Sequence, residues 1–382
     1  MRSRRFLTTQ AILLLLAAGL LWLAVRNVSW HEVKGLLANF NWQYVWLLIV
    51  LDLGMLAALT ARWWFVLNGF RYRIPFLRLV RYRTAVYGLS YITPGPQVGG
   101  EVLQVYFPTS RHGVPAAVSL ATASVDKALD FLGTFTFLTI GVFVVFAGRH
   151  LVTEVNTPAL LAVLPLLLIP GALIVRIWRG RHPISGMVLW VERLFPKAWR
   201  ARLRAHRWFQ GAPSLHRFHA TVFHSEELIA WLCRTRPYEV LAAVLMTALA
   251  WVFTCAEFWV MVRAVNLPLG RAQVLATMCL MYFALLMPMP GGLGAVEAAL
   301  VLALTSFGYS PAQALSLGLL IRSRDLIAAG IGLLLGGVGG RRSHKGPPDL
   351  SGERATAALE GVHRTDERNA SRARSEPAIP PQ

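Results

Sequence analysis

The amino-acid sequence predicts an all-α polytopic membrane protein, with about six full spans plus two broken or re-entrant helix pairs arranged as an inverted repeat. Three observations carry that expectation. A chain of 382 residues with 55% hydrophobic and 15% charged content, at a mean hydropathy of +0.50, is too apolar to be an ordinary soluble protein. Apolar runs of spanning length recur along it, and its Lys and Arg residues fall unevenly between them. The formal charge of +19 belongs to that topology.

Taken in order, the first run extends from about Leu7 to Val25 behind Arg2, Arg4 and Arg5. It resembles a secretory signal but lacks a small-residue cleavage site, so it reads as an uncleaved span. Runs at about 44–61, 114–147, 159–177, 238–262 and 311–338 each provide the ~20 residues that a helix needs to cross the hydrocarbon. Two further apolar stretches, about 84–108 and 272–307, are interrupted by Pro94-Gly95-Pro96 and by Pro288-Met289-Pro290-Gly291-Gly292. Each therefore reads as two short arms around a bend. With the N-terminus inside, 22 Lys and Arg collect on one side, six of them between Arg62 and Arg83, and five on the other. This asymmetry puts both termini in the cytoplasm of a cell-membrane protein and explains the basic pI without nucleic acid.

The expected organisation is a transmembrane domain over 1–340, with halves at about 40–148 and 238–339. A basic, aromatic-containing cytoplasmic loop joins them at 178–237, suited to an anionic membrane surface. The tail, 341–382, has no apolar periodicity and is expected to be disordered. Cys233, Cys255 and Cys279 form no CxxC pair, and His216, His219 and His224 lack the two-carboxylate or cysteine company of a metal site. No metal site, cofactor or disulfide framework is expected.

An internal repeat emerges at an offset of 196 residues. It places Pro94 on Pro290, Gly95 on Gly291, Glu101 on Glu297, Pro115 on Pro311 and Trp63 on Trp259. Helix breakers and a membrane-embedded carboxylate recur in the same order, and the span at 44–61 runs opposite to its counterpart at 238–262. Inverted repeats with broken helices near the midplane are a recurring plan for secondary transporters; a purely structural duplication is the alternative.

Charged residues sit where hydrocarbon is expected. Asp126, Lys127 and Asp130 lie about twelve to sixteen residues into the first long helix, near the midplane at ~1.5 Å per residue. Arg322, Arg324 and Asp325 lie at the same depth of the second. At roughly 2.5–3.5 kcal/mol each, they must pair or line a wet cavity, as interhelical salt bridges, as a substrate or ion path, or as both. The glycines of the breaks, Gly95, Gly99 and Gly100, and Gly291, Gly292 and Gly294, permit tight turns. They would leave backbone amides open to an anion at the start of the next helix. Glu101 and Glu297 would either cap those amides or couple a proton or cation. Asp52 and Glu257 are further acids in apolar runs, with no partner evident from sequence.

Pro94-Gly-Pro-Gln-Val-Gly-Gly-Glu101, Ser124-Val-Asp-Lys-Ala-Leu-Asp130 and Pro290-Gly-Gly-Leu-Gly-Ala-Val-Glu297 together resemble the transmembrane region of lysylphosphatidylglycerol synthetases and their stand-alone flippase-like relatives, over roughly 7–338. The resemblance implies an integral membrane protein that moves lipid or lipid-linked substrates between leaflets, with anionic membrane lipids as partners. The relatives' aminoacyl-transferase domain is absent, so lipid aminoacylation is not expected. The chain departs from the pattern at Gln104, where a basic residue is usual. Two alternatives stand beside translocation: a membrane-embedded transferase acting on a lipid carrier, for which no recognisable catalytic motif is present, and a non-transporting scaffold acting through the basic loop. Oligomeric state is not legible.

Overall fold

In the computed structural model of the chain, residues 41–93, 99–147, 172, 215–287 and 292–338 are described. The expected spans at 7–25 and 159–177, the loop up to residue 214, the tail, and Pro94, Gly95, Pro290 and Gly291 lie outside them. The described residues form helices α1 (Gln43–Gly69), α2 (Phe76–Ile92), α3 (Glu101–His112), α4 (Ala116–Ala147), α5 (Leu215–Thr235), α6 (Pro237–Ala264), α7 (Arg271–Leu285), α8 (Ala295–Ser306) and α9 (Pro311–Val338), with no strand among them.

The helices α1 to α4 and α6 to α9 form two series with the same sequence of lengths: 27, 17, 12 and 32 residues, then 28, 15, 12 and 28. Their turns match as well. α1 ends with Arg71 at φ 64° and α6 with Asn266 at φ 55°. Around Arg71 the bonds run from Arg71 N–H to Asn68 O and from Tyr72 N–H to Leu67 O; around Asn266 they run from Asn266 N–H to Arg263 O and from Leu267 N–H to Val262 O. Both are Schellman closures, which satisfy carbonyls that a helix end would otherwise leave bare in apolar surroundings. Gly113 after α3 and Gly308 after α8 likewise share positive φ. These pairs stand one residue short of the 196 offset, so the likeness between the two series includes these turns.

Starts are equally explicit in the second series. Gln273 accepts from Gly270 N–H, Glu297 from Gly294 N–H and Gln313 from Ser310 N–H, at 2.9, 2.8 and 2.9 Å. Ser310-Pro311-Ala-Gln313 is a capping box with proline at the first helical position. Hydroxyls inside the helices bond back to carbonyls four residues earlier, as at Thr60, Thr84, Thr134, Thr247, Thr254 and Thr277, leaving no bare donor for an apolar medium.

Two of these helices, α1 and α6, are long and apolar enough to cross a membrane by length and composition. α4 and α9 are also long, but each carries three charged residues, Asp126, Lys127 and Asp130 on one and Arg322, Arg324 and Asp325 on the other.

The chain divides into two compact units. The larger comprises 1–104, 126–172 and 238–343, and holds α1, α2, most of α4 and α6 to α9. Its apolar core includes Phe258, Met261, Met278, Leu300, Leu304 and Leu317, with Leu48 from α1. Within it, α2 and α9 make the most extensive helix–helix contact. The reason is glycine: a Cβ at Gly332 would stand 2.1 Å from Thr84 O, and one at Gly88 2.7 Å from Ala329 O. Small residues let the two backbones touch, and Arg81 Nε donates to Leu335 O at 3.2 Å along the same seam. The smaller unit, 105–125, 173–237 and 344–382, contains α5; Ser225 Oγ donates to Ala117 O at 3.1 Å, and Thr109 Oγ1 to Ser119 Oγ at 3.0 Å.

Candidate functional site

The larger unit encloses a cavity of about 520 Å³. Its lining mixes apolar side chains such as Leu56, Phe131, Trp251 and Ile331 with Asp52, Arg62, Arg83, Glu101, Gln104, Asp126, Lys127, Asp130, Arg322, Arg324 and Asp325. All six charged residues expected at the midplane therefore line one space, together with Glu101. Glu297 is 3% exposed and pairs with Arg322.

On the α4 side, Asp126 is the centre. Arg62 of α1 reaches it with Nε to Oδ1 at 2.6 Å, Arg83 of α2 binds Oδ2 through Nη1, and Gln104 of α3 donates Nε2–H to Oδ2 at 3.1 Å. Arg62 Nη2 also lies 2.7 Å from Asp130 Oδ1. Asp126 and Asp130 are one helical turn apart, so a single guanidinium spans both. Arg62 is 0% exposed and Asp126 2%; such a buried group depends on its partners to offset desolvation. Beside it, Lys127 Nζ lies 2.7 Å from Glu101 Oε1, and these side chains keep 20% and 24% exposure. Lys127 also sits over the Phe131 ring at 5.7 Å.

On the α9 side the sign is reversed. Arg322 donates Nε–H to Glu297 Oε1 at 2.7 Å and Nη2–H to Glu297 Oε2 at 3.2 Å, a bidentate pair. It also donates to Gly292 O at 3.0 Å and to Tyr91 OH at 3.2 Å. Arg324 lies 2.5 Å from Glu257 Oε1 through Nη1 and 2.6 Å from Asp325 Oδ1 through Nη2. Tyr87 OH donates to the same Asp325 oxygen at 3.2 Å.

One expectation is resolved and another corrected. The helix-start amides were open to two readings, an anion site or a glutamate cap; Gly294 N–H takes the cap, donating to Glu297 Oε2, whereas Gly100 N–H donates to Ser90 Oγ at 3.0 Å. A carboxylate three residues inside the helix reaches back more readily than a ligand can enter, so Glu297 caps α8 while pairing with Arg322. Gly292 and Gly294, at φ 65° and 79°, provide that tight entry; Gly99 packs against Thr93, leaving no room for a Cβ.

The correction concerns Arg62 and Arg83, which had been counted among the basic residues of a cytoplasmic loop. They are buried inside helices and belong to the cavity. The signal was present for Arg62: Trp63-Trp64-Phe65-Val66-Leu67 continues the apolar run beyond it, placing the arginine within the helix rather than at its end. Arg83 gave no such sign, since α2 carries Arg78, Arg81 and Arg83 together.

These features define a helical membrane-protein architecture, with two helix series of similar lengths and an ion-paired cavity. The chain belongs to the lysylphosphatidylglycerol synthase TM region family, whose model matches residues 10–332. It is also similar to a UPF0104 membrane protein of Methanocaldococcus jannaschii, 22% identical over 319 residues, which covers 82% of this chain and 90% of that one.

Proposed function

We propose that this protein is a flippase-like translocase of lipid or lipid-linked substrates with an anionic head group, spanning the cell membrane several times with both termini cytoplasmic. The observation that carries this is the cavity itself, a space of about 520 Å³ in a membrane-protein family, with charged side chains from both helix series on its walls. Head groups need a polar, hydrated path because a bare charge in hydrocarbon is costly, while acyl or prenyl chains remain in lipid.

The two series are then the inverted halves of an alternating-access transporter. The buried pairs at Asp126 and Arg322 hold each half together. The more exposed Lys127–Glu101 pair is the one that opens, Lys127 leaving its carboxylate for the phosphate of an entering head group. Glu101 is the exchangeable acid and Glu297 the capping acid.

Leaflet exchange in reconstituted vesicles tests this. Fluorescent anionic, zwitterionic and lipid-linked sugar probes are expected to exchange faster with the protein than in protein-free vesicles, and Lys127→Gln is expected to slow that exchange while leaving the fold intact. Exchange at the protein-free rate for every probe would remove the proposal.

A further inference from the structure

The second cluster of the cavity contains more acid than its pairing needs. Arg324 is the guanidinium at its centre; carboxylates from two helices pair with it, and a third, from another helix, lines the same cavity. Glu257 of α6 approaches Nη1 at 2.5 Å, Asp325 of α9 accepts from Nε at 3.0 Å and from Nη2 at 2.6 Å, and Asp52 of α1 lies within electrostatic range of both Arg324 and Asp325. Tyr87 of α2 donates to Asp325, and the Tyr282 hydroxyl of α7 faces Arg324, Glu257 and Asp325. Neither phenol supplies a positive charge. Arg322, the nearest other cation in the same helix, is already held bidentately by Glu297.

The acids differ in how well they are served. Asp325 has three donors. Glu257 is 1% exposed, and its Oε1 accepts no hydrogen bond of good geometry despite the nearby guanidinium. Asp52 lines the cavity and, among the described residues, has no hydrogen bond or ion pair. Three carboxylates ionised around one guanidinium, in a cavity whose walls are largely apolar side chains, would leave two uncompensated negative charges, which a reduced local dielectric makes costly. The charge can be relieved by a proton or by a metal cation. A metal is disfavoured by the guanidinium between Glu257 and Asp325; among the described residues no group of three His, Cys, Asp or Glu side chains converges to hold an ion.

We infer that Asp52, Glu257 and Asp325, gathered round Arg324, form a proton-binding site that holds an exchangeable proton at neutral pH, with Asp52 as the acid that loads it from the cavity. The step is a simple transfer: a carboxylate oxygen of Asp52 takes a proton from hydronium, leaving water, and returns it when the cavity opens to the side of lower proton concentration. Asp52 is suited to this because it faces the cavity and breaks no hydrogen bond on changing charge. Coupling of this proton to substrate movement rests on the translocation proposed above; occupancy of the site does not.

Infrared difference spectroscopy on the full chain in lipid vesicles reads the proton directly, through the carbonyl stretch of protonated carboxyl groups and its shift in heavy water. At pH 7 the protein is expected to show such a band, with the intensity of about one carboxyl group, that disappears at alkaline pH and is lost in Asp52→Asn. Glu257→Gln is the second variant: it lowers the acid count by one, so the same band should weaken or vanish there too. Absence of any protonated-carboxyl band at pH 7 would overturn the inference, as would a band unchanged in both variants. The band can be present in a protein that exchanges no lipid, and lipid exchange can be seen without it, so the two failures are distinguishable.

Discussion

The buried charges of α4 and α9 occupy corresponding places in the two helix series and have opposite signs. On α4 the central group is an acid, Asp126, and the cations come to it from α1 and α2. On α9 it is a cation, Arg322, and the acid comes from α8. The two series thus carry buried charges of opposite sign at corresponding places, each answered by its neighbouring helices. The Lys127–Glu101 pair has a different character again: it joins the helix after the break to the helix start, as Arg322–Glu297 does, but remains partly exposed. Two pairs of similar wiring thus divide into one buried and one partly exposed, which the proposed function reads as a lock and a pair that opens.

The largest effect should come from breaking a lock. Asp126→Asn leaves Arg83 without a carboxylate and Arg62 with Asp130 alone, and loss of one member of a buried pair costs roughly 3–5 kcal/mol. Thermal unfolding in detergent should show a large fall in midpoint or failure to accumulate folded protein. The same substitution at the open pair, Glu101→Gln, should cost below about 1 kcal/mol in that measurement, as for a solvent-accessible ion pair. Similar costs for the two variants would break the comparison.

Next in size is the α2–α9 seam. Gly332→Ala drives a methyl to within 2.1 Å of Thr84 O, and overpacking of this kind costs about 1–3 kcal/mol. Gly330→Ala, one turn-side neighbour whose Cβ would meet nothing within 4 Å, is the control and should be close to neutral. If both behave alike, the seam is not the close contact that Gly88 and Gly332 indicate.

Smallest on stability, but large on transport, is Lys127→Gln. Its stability should change by less than about 1 kcal/mol. Leaflet exchange should slow by roughly tenfold or more, in line with the ~1.5–3 kcal/mol of a hydrogen bond to a charged group.

Much of this was legible in the sequence because hydrocarbon makes charge conspicuous. Asp126, Lys127, Asp130, Arg322, Arg324 and Asp325 stand out within apolar runs, and the Pro-Gly breaks and their glutamates mark where helices begin. Partners were less legible. Nothing local says that Asp126 is answered by an arginine 64 residues earlier, or that Glu257 meets Arg324, because pairing across helices is decided by packing. Arg83 was hidden for a different reason: in a segment rich in arginine, a buried one has the same appearance as its exposed neighbours. The glycines misled in one respect: Gly292 and Gly294 make a tight entry whose amide site is filled by Glu297, and at the first break Ser90 takes the Gly100 amide.

Leaflet exchange by a charge-swapped pair tests the central claim most directly. Glu101→Lys combined with Lys127→Glu retains an ion pair at the same place but moves the cation from α4 to the start of α3. If Lys127 receives the head group, wild-type vesicles should exchange the anionic probe well above protein-free vesicles, and the swapped protein, folded and equally stable, should not. Exchange by the swapped protein at the wild-type rate, or no exchange by either, would contradict the account.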